Sequence, residues 1–331
     1  MEPIRFASII VTYRCNAKCH MCNTWQYPTS PQEEITPALL EKLPHIASIN
    51  VTGGEPFLRQ DLDEILTVLE RKAKRIVIST NGFWTDRILD VARRHPRVGV
   101  RVSLEGLPKA NDELRGIPNG FDRAIRTITG LSQLGLRDIG FGITLSDRNT
   151  KDLMELYSLA KMMNVEFATA AVHNSFYFHK MDNHFNNPQA ATEQLDLLIE
   201  QLLASRRIKD WFRAYFNHGL KNYIEGKPRL LPCRMGHNAF FLDPMGRVLP
   251  CNVVDRSMGN LHQSTFEEIW TSAKAQEIRK EVCNCGHNCW MMGSVSEAMK
   301  TNLRVPMKWV LGRKLRGRRS CACSTGSPTA C

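Results

Sequence analysis

Short apolar, β-branched stretches alternate with longer amphipathic segments through the first half of the chain. Residues 4–12 (IRFASIIVT) have the side-chain alternation of a strand, and five similar stretches follow before residue 172. The predicted strands are residues 4–12, 48–52, 75–80, 98–104, 138–145 and 165–171, and the predicted helices are residues 36–46, 60–73, 85–95, 119–135 and 149–163. Such alternation, at about 30 residues a unit, predicts parallel strands joined by helical crossovers.

The pattern changes after residue 172. Residues 188–226 are mainly helical, and a hairpin follows in which NAFFLD and RVLPC flank the turn Pro244-Met245-Gly246. Proline fixes φ in such a turn and glycine supplies its permissive position. A further helix is predicted over residues 264–280, and the Gly-, Ser- and Pro-rich residues 317–331 are predicted to be disordered.

The overall composition is typical of a soluble globular protein, with 43% hydrophobic and 23% charged residues in a chain of 331. No apolar run reaches the length of about 18 residues that would span a membrane. The N-terminal segment lacks the basic region and the cleavage site of a signal peptide. We therefore expect a cytoplasmic protein whose first residues form a strand.

The formal net charge of +11 is not evenly spread along the chain. Five of the positive charges come from Arg313, Lys314, Arg316, Arg318 and Arg319. A basic balance permits an acidic partner, such as a flavodoxin- or ferredoxin-like electron donor. The basic and apolar segment 303–319 leaves open a peripheral contact with an anionic membrane surface. We expect instead a solvated helix packed against the domain, and no binding of nucleic acid.

Eleven cysteines occur in a chain without a secretory signal, where a reducing compartment favours metal binding or catalysis over disulfides. They fall into four groups: Cys15, Cys19 and Cys22; Cys233 and Cys251; Cys283, Cys285 and Cys289; and Cys321, Cys323 and Cys331. The long gap between Cys22 and Cys233 is not what scattered core thiols would leave. The last group is expected to consist of unligated thiols in the tail.

The first group, CxxxCxxC, follows the first predicted strand. Three thiolates can hold three irons of a [4Fe–4S] cube and leave the fourth iron open. The alternative is a zinc site, which would need a fourth ligand nearby. His20 is the obvious candidate, but it lies inside the tight loop between two ligands. The spacing favours iron–sulfur and leaves zinc open.

A second motif, Gly53-Gly54-Glu55-Pro56, lies at the end of the second predicted strand. Loops that bind ligands sit at the carboxyl ends of the strands in parallel α/β barrels. Two glycines allow the backbone to approach a ligand closely, and a following acid can accept hydrogen bonds from an ammonium group. The motif therefore predicts a cofactor site beside the first cysteine group.

CxxxCxxC and GGEP are hallmarks of the radical S-adenosylmethionine (SAM) superfamily, which the N-terminal half therefore resembles. The resemblance implies an α/β fold with a partial (β/α)6 barrel, and a SAM-binding [4Fe–4S] cluster on Cys15, Cys19 and Cys22. The implied SAM-binding residues are Gly53, Gly54, Glu55, Pro56, Asn81, Ser103, Glu105 and Asn149. Many members have an aromatic residue before the third cysteine; this chain has Met21, which can pack there too.

The second cysteine set surrounds and follows the predicted hairpin. Cys233 and Cys251 can meet because an antiparallel hairpin folds back on itself, and three further cysteines follow. From the residues alone, a four-cysteine structural zinc site remains open. The stretch CRMG…DPMGRVLPC, followed by MGNL…FEEIW, resembles the auxiliary iron–sulfur region called SPASM, or twitch in its shortened form.

This second resemblance implies an auxiliary [4Fe–4S] cluster in a small C-terminal domain. Five cysteines before the tail suffice for one fully ligated cluster with one to spare, which favours the twitch-like form. The expected ligands are Cys233, Cys251, Cys285 and Cys289, with Cys283 as the spare thiol. The CNCGHNC spacing does not decide between Cys283 and Cys285. Four thiolates would leave no open iron, which suits electron transfer.

The reaction implied by the resemblance is reductive cleavage of SAM to a 5′-deoxyadenosyl radical, which abstracts hydrogen from a substrate C–H bond. With an auxiliary cluster as electron acceptor, we expect a two-electron oxidation of a sugar-like alcohol or another small metabolite. Modification of a ribosomal peptide is the alternative, mildly disfavoured because no separate leader-recognition domain is visible. A non-catalytic iron–sulfur or zinc module is a third hypothesis, disfavoured by the intact GGEP motif.

Several polar residues remain without a firm role at this stage. Those after the sixth strand lie where substrate should enter, although ordinary loop roles are expected for them: His173, Asn174, Tyr177 and His179. Arg115 either pairs with a carboxylate of SAM or substrate, or is a surface charge.

Four segments are expected along the chain. Residues 1–185 form the barrel, residues 186–230 a helical connector, and residues 231–300 the auxiliary domain. Residues 301–331 form a basic, partly disordered tail.

Overall fold

The computed structural model describes residues 2–322, with side chains described as far as residue 315. Its strands are β1 (Phe6–Ile10), β2 (Ile46–Thr52), β3 (Ala73–Thr80), β4 (Gly99–Ser103), β5 (Ile139–Leu145), β6 (Glu166–Ala171), β7 (Ala239–Leu242), β8 (Arg247–Leu249) and β9 (Gly259–Asn260). They form one sheet in the order β6-β5-β4-β3-β2-β1-β7-β8-β9.

The first six strands form an open parallel barrel. Each of them pairs in parallel with its neighbour in sequence. Aliphatic and aromatic side chains such as Ile9, Val51 and Phe141 are fully or almost fully buried between the sheet and its helices. The predicted α/β fold class with a partial six-stranded barrel is therefore confirmed.

The hairpin near the C-terminus extends this same sheet. β7 pairs in parallel with β1, with Phe6 beside Ala239, and β8 and β9 follow in antiparallel order. The sequence pattern predicted the hairpin but not its attachment to β1. Because of that attachment, the chain after residue 231 is built directly onto the barrel edge next to the first cysteine group.

The described residues contain twelve α-helices. They are α1 (Pro37–Leu40), α2 (Leu62–Lys72), α3 (Thr85–Arg94), α4 (Pro108–Arg115), α5 (Gly120–Gln133), α6 (Leu153–Met162), α7 (Pro188–Ala204), α8 (Ile208–Ile224), α9 (Phe266–Thr271), α10 (Ala273–Cys283), α11 (Met292–Thr301) and α12 (Arg304–Ala322). No helix in this part of the chain is long and apolar enough to cross a membrane.

Three helices differ from the prediction. α1 is shorter than residues 36–46 because Pro44 cannot continue a helix. The predicted helix 264–280 is two helices, since Ser272 is extended and its hydroxyl caps α10 by accepting from the Ala275 N–H (3.1 Å). α4 was missed because its sequence, PKANDELR, has little apolar periodicity.

The C-terminal helix α12 corrects part of the disorder prediction for residues 317–331. The helix continues through Ala322, so the first six of these residues are helical, and residues 323–331 lie outside the described part. The indole of Trp309 stacks on His218 of α8 at a centroid distance of 4.7 Å. The helix therefore packs against the domain as predicted for residues 303–319. Cys323 and Cys331 lie outside the described residues, and the side chain of Cys321 is not described.

Candidate active site

The carboxyl ends of the parallel strands open into a cavity of about 440 Å³. The cysteines that line it are Cys15, Cys19, Cys22, Cys233, Cys251, Cys285 and Cys289. Two groups that are far apart in sequence thus face one space, because β7 brings the hairpin beside β1. These seven cysteines are the ones predicted from the sequence as ligands of two clusters.

Helix α4 supports the first cysteine loop. The Lys18 N–H donates to the carbonyl oxygen of Arg115 (3.0 Å). The His20 N–H donates to the carbonyl oxygen of Leu114 (2.8 Å). Gly116 follows with a φ of 59°, and a β-carbon there would lie 2.8 Å from the Lys18 carbonyl oxygen. Any side chain at residue 116 would therefore push the cysteine loop away from α4.

The Gly53-Gly54 pair packs against the backbone that leads into the first cysteine. The Gly54 N–H donates to the Thr12 carbonyl oxygen (2.7 Å). A β-carbon on Gly54 would overlap the Arg14 carbonyl, and one on Gly53 would lie 2.5 Å from the Thr12 carbonyl oxygen. Both glycines also line the cavity. The close backbone approach predicted for the two glycines is therefore, in the first place, an approach to residues 12–14 of the same chain.

Glu55 is fully buried at the junction of β2 and β3. Its carboxylate accepts hydrogen bonds from the Thr80 hydroxyl (2.8 Å) and from the Asn81 N–H (2.8 Å). It also accepts from the Phe57 N–H (3.2 Å), and burial raises its pKa. Neither Glu55 nor Pro56 lines the cavity. The structure thus engages this carboxylate with the protein, and its contact with an ammonium group stays a prediction.

Glu105 and Arg115 form a buried ion pair on the cavity wall, with 2.9 Å between Oε1 and Nη1. The Thr144 N–H donates to the second carboxylate oxygen (2.6 Å). Although burial opposes it, the nearby Cys19 and Glu105 raise the pKa of Arg115, which keeps the guanidinium charged. Its buried Nε has no partner among the described residues. Arg115 is therefore not a surface charge, and it retains a donor for an anionic group.

Of the other residues predicted to bind SAM, two line the cavity and one lies behind its wall. Asn81 and Ser103 line the cavity. Asn149 is fully buried and does not. Its amide nitrogen donates to the carbonyl oxygens of Glu105 (2.8 Å) and Thr144 (3.0 Å). The structure thus places Asn149 behind the Glu105–Arg115 pair, and its contact with a cofactor stays a prediction.

Cys251 lies at the end of the hairpin in a cradle of backbone amides. Its Sγ accepts hydrogen bonds from the N–H groups of Val253 and Val254, each at 3.4 Å. Such bonds to sulfur tune iron–sulfur sites. Burial raises the pKa of Cys251 to about 11 and that of Cys289 to about 12. Ligation would therefore have to displace protons from these thiols.

Cys289 is anchored through its neighbour Trp290. The indole N–H donates to the Phe216 carbonyl oxygen in α8 (2.7 Å), and the ring lies against Gly219. Arg229 stacks over the ring at 5.3 Å from its centroid and donates to the Cys289 carbonyl oxygen. The connector helix α8 therefore fixes one of the auxiliary cysteines.

Cys283 differs from the other cysteines of its group. It ends α10, is exposed and does not line the cavity. Its Sγ lies 3.3 Å from Nε2 of His237. The structure thus distinguishes Cys283 from Cys285, because only Cys285 lines the cavity. The spacing in the sequence did not distinguish them.

Two family models match the chain over its two cysteine regions. The radical SAM superfamily matches residues 9–160, and SPASM, an iron–sulfur cluster-binding domain, matches residues 233–290. The chain belongs to the radical SAM superfamily. Its SPASM match begins at Cys233 and ends just after Cys289, so it includes the four auxiliary cysteines that line the cavity.

Curated relatives of this radical SAM chain have names of two kinds. Fe-coproporphyrin III synthase of Methanosarcina barkeri is 34% identical over 158 residues, or 45% of this chain and 39% of that protein. An AdoMet-dependent heme synthase of the same organism is 27% identical over 80% of this chain and 81% of its own length. Sporulation killing factor maturation protein SkfB of Bacillus subtilis is 23% identical over 83% of this chain and 67% of SkfB.

The radical SAM fold is also shared with solved structures. Native anSMEcpe with bound AdoMet has a TM-score of 0.62 at 15% identity, covering 93% of this chain and 98% of its own. The two family matches make the chain a radical SAM enzyme whose cofactors are SAM and two [4Fe–4S] clusters. A non-catalytic binding module is set aside, since the relatives are enzymes.

The side chains of this radical SAM site fit those cofactors. Among the described residues, no three His, Cys, Asp or Glu side chains stand close enough together to hold a single metal ion. A [4Fe–4S] cube takes one thiolate on each of several irons, so its ligands stand farther apart. The unpartnered Nε of Arg115 offers a donor to the SAM carboxylate. Met21 lines the same cavity.

The segment after β6 supplies further polar groups. His173 and Tyr177 line the cavity, whereas Asn174 and His179 do not. Nε2 of His173 lies 3.3 Å from the side-chain amide of Asn252, which follows Cys251. Asn252 lines the cavity too and was missed by sequence reasoning. Its position next to a predicted ligand was the only signal for it.

Proposed function

We propose that this radical SAM enzyme carries out a two-electron oxidation at a C–H position of a peptide side chain held between the two cysteine groups. The observation that carries the proposal is the single cavity onto which all seven predicted cluster ligands open. A substrate in that cavity would lie beside both cofactor sites at once. Such proximity is what hydrogen abstraction at one site and electron removal at the other require.

The cofactors would be held by residues already described. Cys15, Cys19 and Cys22 would ligate the SAM-binding cluster, and Arg115 would bind the SAM carboxylate. The auxiliary cluster would be ligated by Cys233, Cys251, Cys285 and Cys289. When bound, SAM and the clusters supply a hydrogen-abstracting radical and an acceptor for the remaining electron. A flavodoxin- or ferredoxin-like protein remains our proposal for the electron donor.

The protein would orient the substrate and keep water away from it. Phe178, Val253 and Val254 line the cavity and make much of its wall apolar. His173 supplies a neutral polar group there, because burial lowers its pKa. Its Nδ1 lies 3.3 Å from the Ala171 carbonyl oxygen and must therefore carry the proton, so Nε2 is the acceptor. A peptide amide could replace the Asn252 amide as its donor.

The charges in the cavity support an uncharged substrate group. Arg115 is the only Lys or Arg among the lining residues, and Glu105 already pairs with it. A tetrapyrrole with several carboxylates would find no cation besides Arg115 to pair with. The mainly apolar wall also gives little support to a sugar-like alcohol. SkfB, whose name describes the maturation of a killing factor, belongs to the class of relative that a peptide substrate would match.

The proposal can be tested with protein reconstituted under anaerobic conditions. The wild type should contain about eight irons, and a triple alanine variant of Cys15, Cys19 and Cys22 about four, with no SAM cleavage. Full-length synthetic peptides encoded next to the gene are then offered with a reductant and SAM. One of them should become lighter by two hydrogens, with one methionine formed for each product.

The variant Cys285→Ser separates the two cluster roles. This variant should still cleave SAM but give no oxidised peptide. If it formed the same oxidised peptide as the wild type, the assignment of a two-electron oxidation would be overturned. Haem serves as the competing probe, because two relatives are named for tetrapyrrole synthesis. A stoichiometric shift of the haem absorption on mixing, with every peptide unmodified, would reject the peptide class.

A further inference from the structure

The outer surface of α12 carries a continuous row of exposed apolar side chains. Five of the fourteen exposed large apolar side chains of the described residues fall between residues 303 and 315. Four of them follow a spacing of four residues, the first directly before α12 and the others within it: Leu303, Met307, Leu311 and Leu315. Residues spaced in this way lie one above another on a helix, so the row is about 18 Å long. Leu311 and Leu315 are 55% and 61% exposed.

A basic row runs directly beside the apolar row. Its members each directly follow one of the apolar residues in sequence: Arg304, Lys308 and Arg316. The residue after Leu311 is Gly312, which interrupts the basic row. Arg304 and Lys308 are exposed and form no ion pair with any described residue. From residue 300 to the C-terminus the sequence has eight Lys and Arg and no Asp or Glu. Most of the net charge of +11 is therefore in this segment.

The opposite face of α12 is already occupied by the domain. Val310 is buried, and the Trp309 ring lies 5.6 Å from Tyr215 and stacks on His218. Nζ of Lys314 lies 3.8 Å from the centroid of the Trp211 ring. The helix is thus fixed to α8 by one face, and the exposed side chains of Arg304, Lys308, Met307, Leu311 and Leu315 lie outside this contact.

We propose that α12 lies on an anionic membrane surface, with the apolar row in the headgroup region and the basic row against lipid phosphates. A helix with adjacent apolar and cationic faces binds such an interface without crossing it. Long basic side chains beside apolar ones extend to the charged headgroups. An acidic protein would pair with the basic row but leave the apolar row exposed to water. A lipid interface contacts both rows, and we therefore propose it as the partner.

The test uses the reconstituted two-cluster protein and vesicles in an anaerobic flotation assay. The protein should float with vesicles of equal parts phosphatidylcholine and phosphatidylglycerol, and not with phosphatidylcholine alone. Raising the salt from about 0.1 M to about 1 M should weaken binding, because the Debye length falls from about 10 Å to about 3 Å. Equal binding to both kinds of vesicle, or none to the anionic ones, would overturn the proposal.

Two double variants separate the contributions of the rows. Arg304→Gln with Lys308→Gln should lower the partition coefficient about 30-fold, the effect of two cations at a charged leaflet. Leu311→Asn with Leu315→Asn should lower it at least about tenfold. The matched control is Met162→Asn on α6, 78% exposed and far from α12 in sequence, which should bind as the wild type does.

SAM cleavage and thermal unfolding of the same variants should be unchanged, since the mutated side chains are exposed and outside the cavity. Vesicle binding that survives both double variants would reject α12 as the contact. A purified flavodoxin is added as the competing probe. Retention of flavodoxin by wild type, with no vesicle flotation, would assign the basic row to an acidic protein and reject the membrane.

Discussion

The indole of Trp290 lies so close to Gly219 of α8 that a β-carbon at residue 219 would overlap it. The contact matters because Trp290 is the residue after Cys289, and its N–H is fixed to the Phe216 carbonyl oxygen. A connector helix that carries none of the predicted ligands thus positions Cys289, a predicted ligand of the auxiliary cluster. Residues outside a cluster's immediate ligands commonly orient those ligands in this way.

The variant Gly219→Ala should therefore lose the auxiliary cluster and keep the first one. The new methyl group displaces the indole, and with it Cys289, so reconstituted protein should hold about four irons where the wild type holds about eight. SAM cleavage should persist. The control is Gly312→Ala in α12, where a β-carbon meets no atom within 4 Å. A full iron count in Gly219→Ala would contradict the anchoring role of Trp290.

Gly54→Ala should produce the reverse loss. Its methyl group overlaps the Arg14 carbonyl, directly before Cys15, and so displaces the first cysteine loop. We expect about four irons, all auxiliary, and no cleavage of SAM. The two glycine variants are each other's controls, since each should lose the cluster that the other keeps. If Gly54→Ala lost about four irons but still cleaved SAM, the first cluster would be intact. The GGEP loop would then not support Cys15.

The sequence was sufficient to predict the barrel and to single out the cysteines that line the cavity, because both leave local patterns. Six strand–helix units and the spacing of Cys15, Cys19 and Cys22 can be recognised without knowledge of distant contacts. The attachment of β7 to β1 could not be predicted, since a strand pairing between distant segments has no local signal. It is this pairing that brings the two cysteine groups to one cavity.

Individual site residues show the same limit. Glu55 and Asn149 were expected at the cofactor because of their positions after strands. In the structure both side chains form hydrogen bonds with backbone groups of neighbouring loops, and their contact with the cofactor stays a prediction. Which partner a polar side chain finds depends on the loops that pack beside it, and the sequence does not give their arrangement. Arg115 was ambiguous for this reason, since α4 itself was not predicted.

Glu55→Gln should destabilise the fold and weaken SAM binding. The carboxylate accepts from Thr80, Asn81 and Phe57, and an amide offers one oxygen where there were two. An N–H group left unpaired in the interior costs about 1–3 kcal/mol. Unfolding by urea and equilibrium binding of SAM measure the two effects. The control Glu64→Gln, on an exposed position of α2, should change neither.

Cys283→Ser and Cys285→Ser should differ although they are two residues apart. Cys285 lines the cavity, whereas Cys283 is exposed and lies beside His237. Cys283→Ser should therefore keep about eight irons, and Cys285→Ser about four. Iron and sulfide analysis after reconstitution measures both. If Cys283→Ser lost the auxiliary cluster and Cys285→Ser kept it, our choice of ligand would be reversed.

His173 should make the stability of the protein depend on pH in the mildly acidic range. Burial lowers its pKa below the ordinary value, so the folded protein binds a proton at this site less readily than the unfolded chain does. Stability should then fall as the pH drops through the unfolded pKa of about 6.5 towards the lower folded value. The variant His173→Asn can still donate to the Ala171 carbonyl but cannot titrate.

Urea unfolding of the reconstituted protein between about pH 7 and about pH 5 tests this expectation. The wild type should lose more of its free energy of unfolding over this range than His173→Asn does, because only the wild type takes up the additional proton on unfolding. The matched control is His262→Asn at an exposed position, which should retain the pH dependence of the wild type. Parallel curves for wild type and His173→Asn would show that the cavity wall accommodates a charged imidazole, and that His173 is open to water.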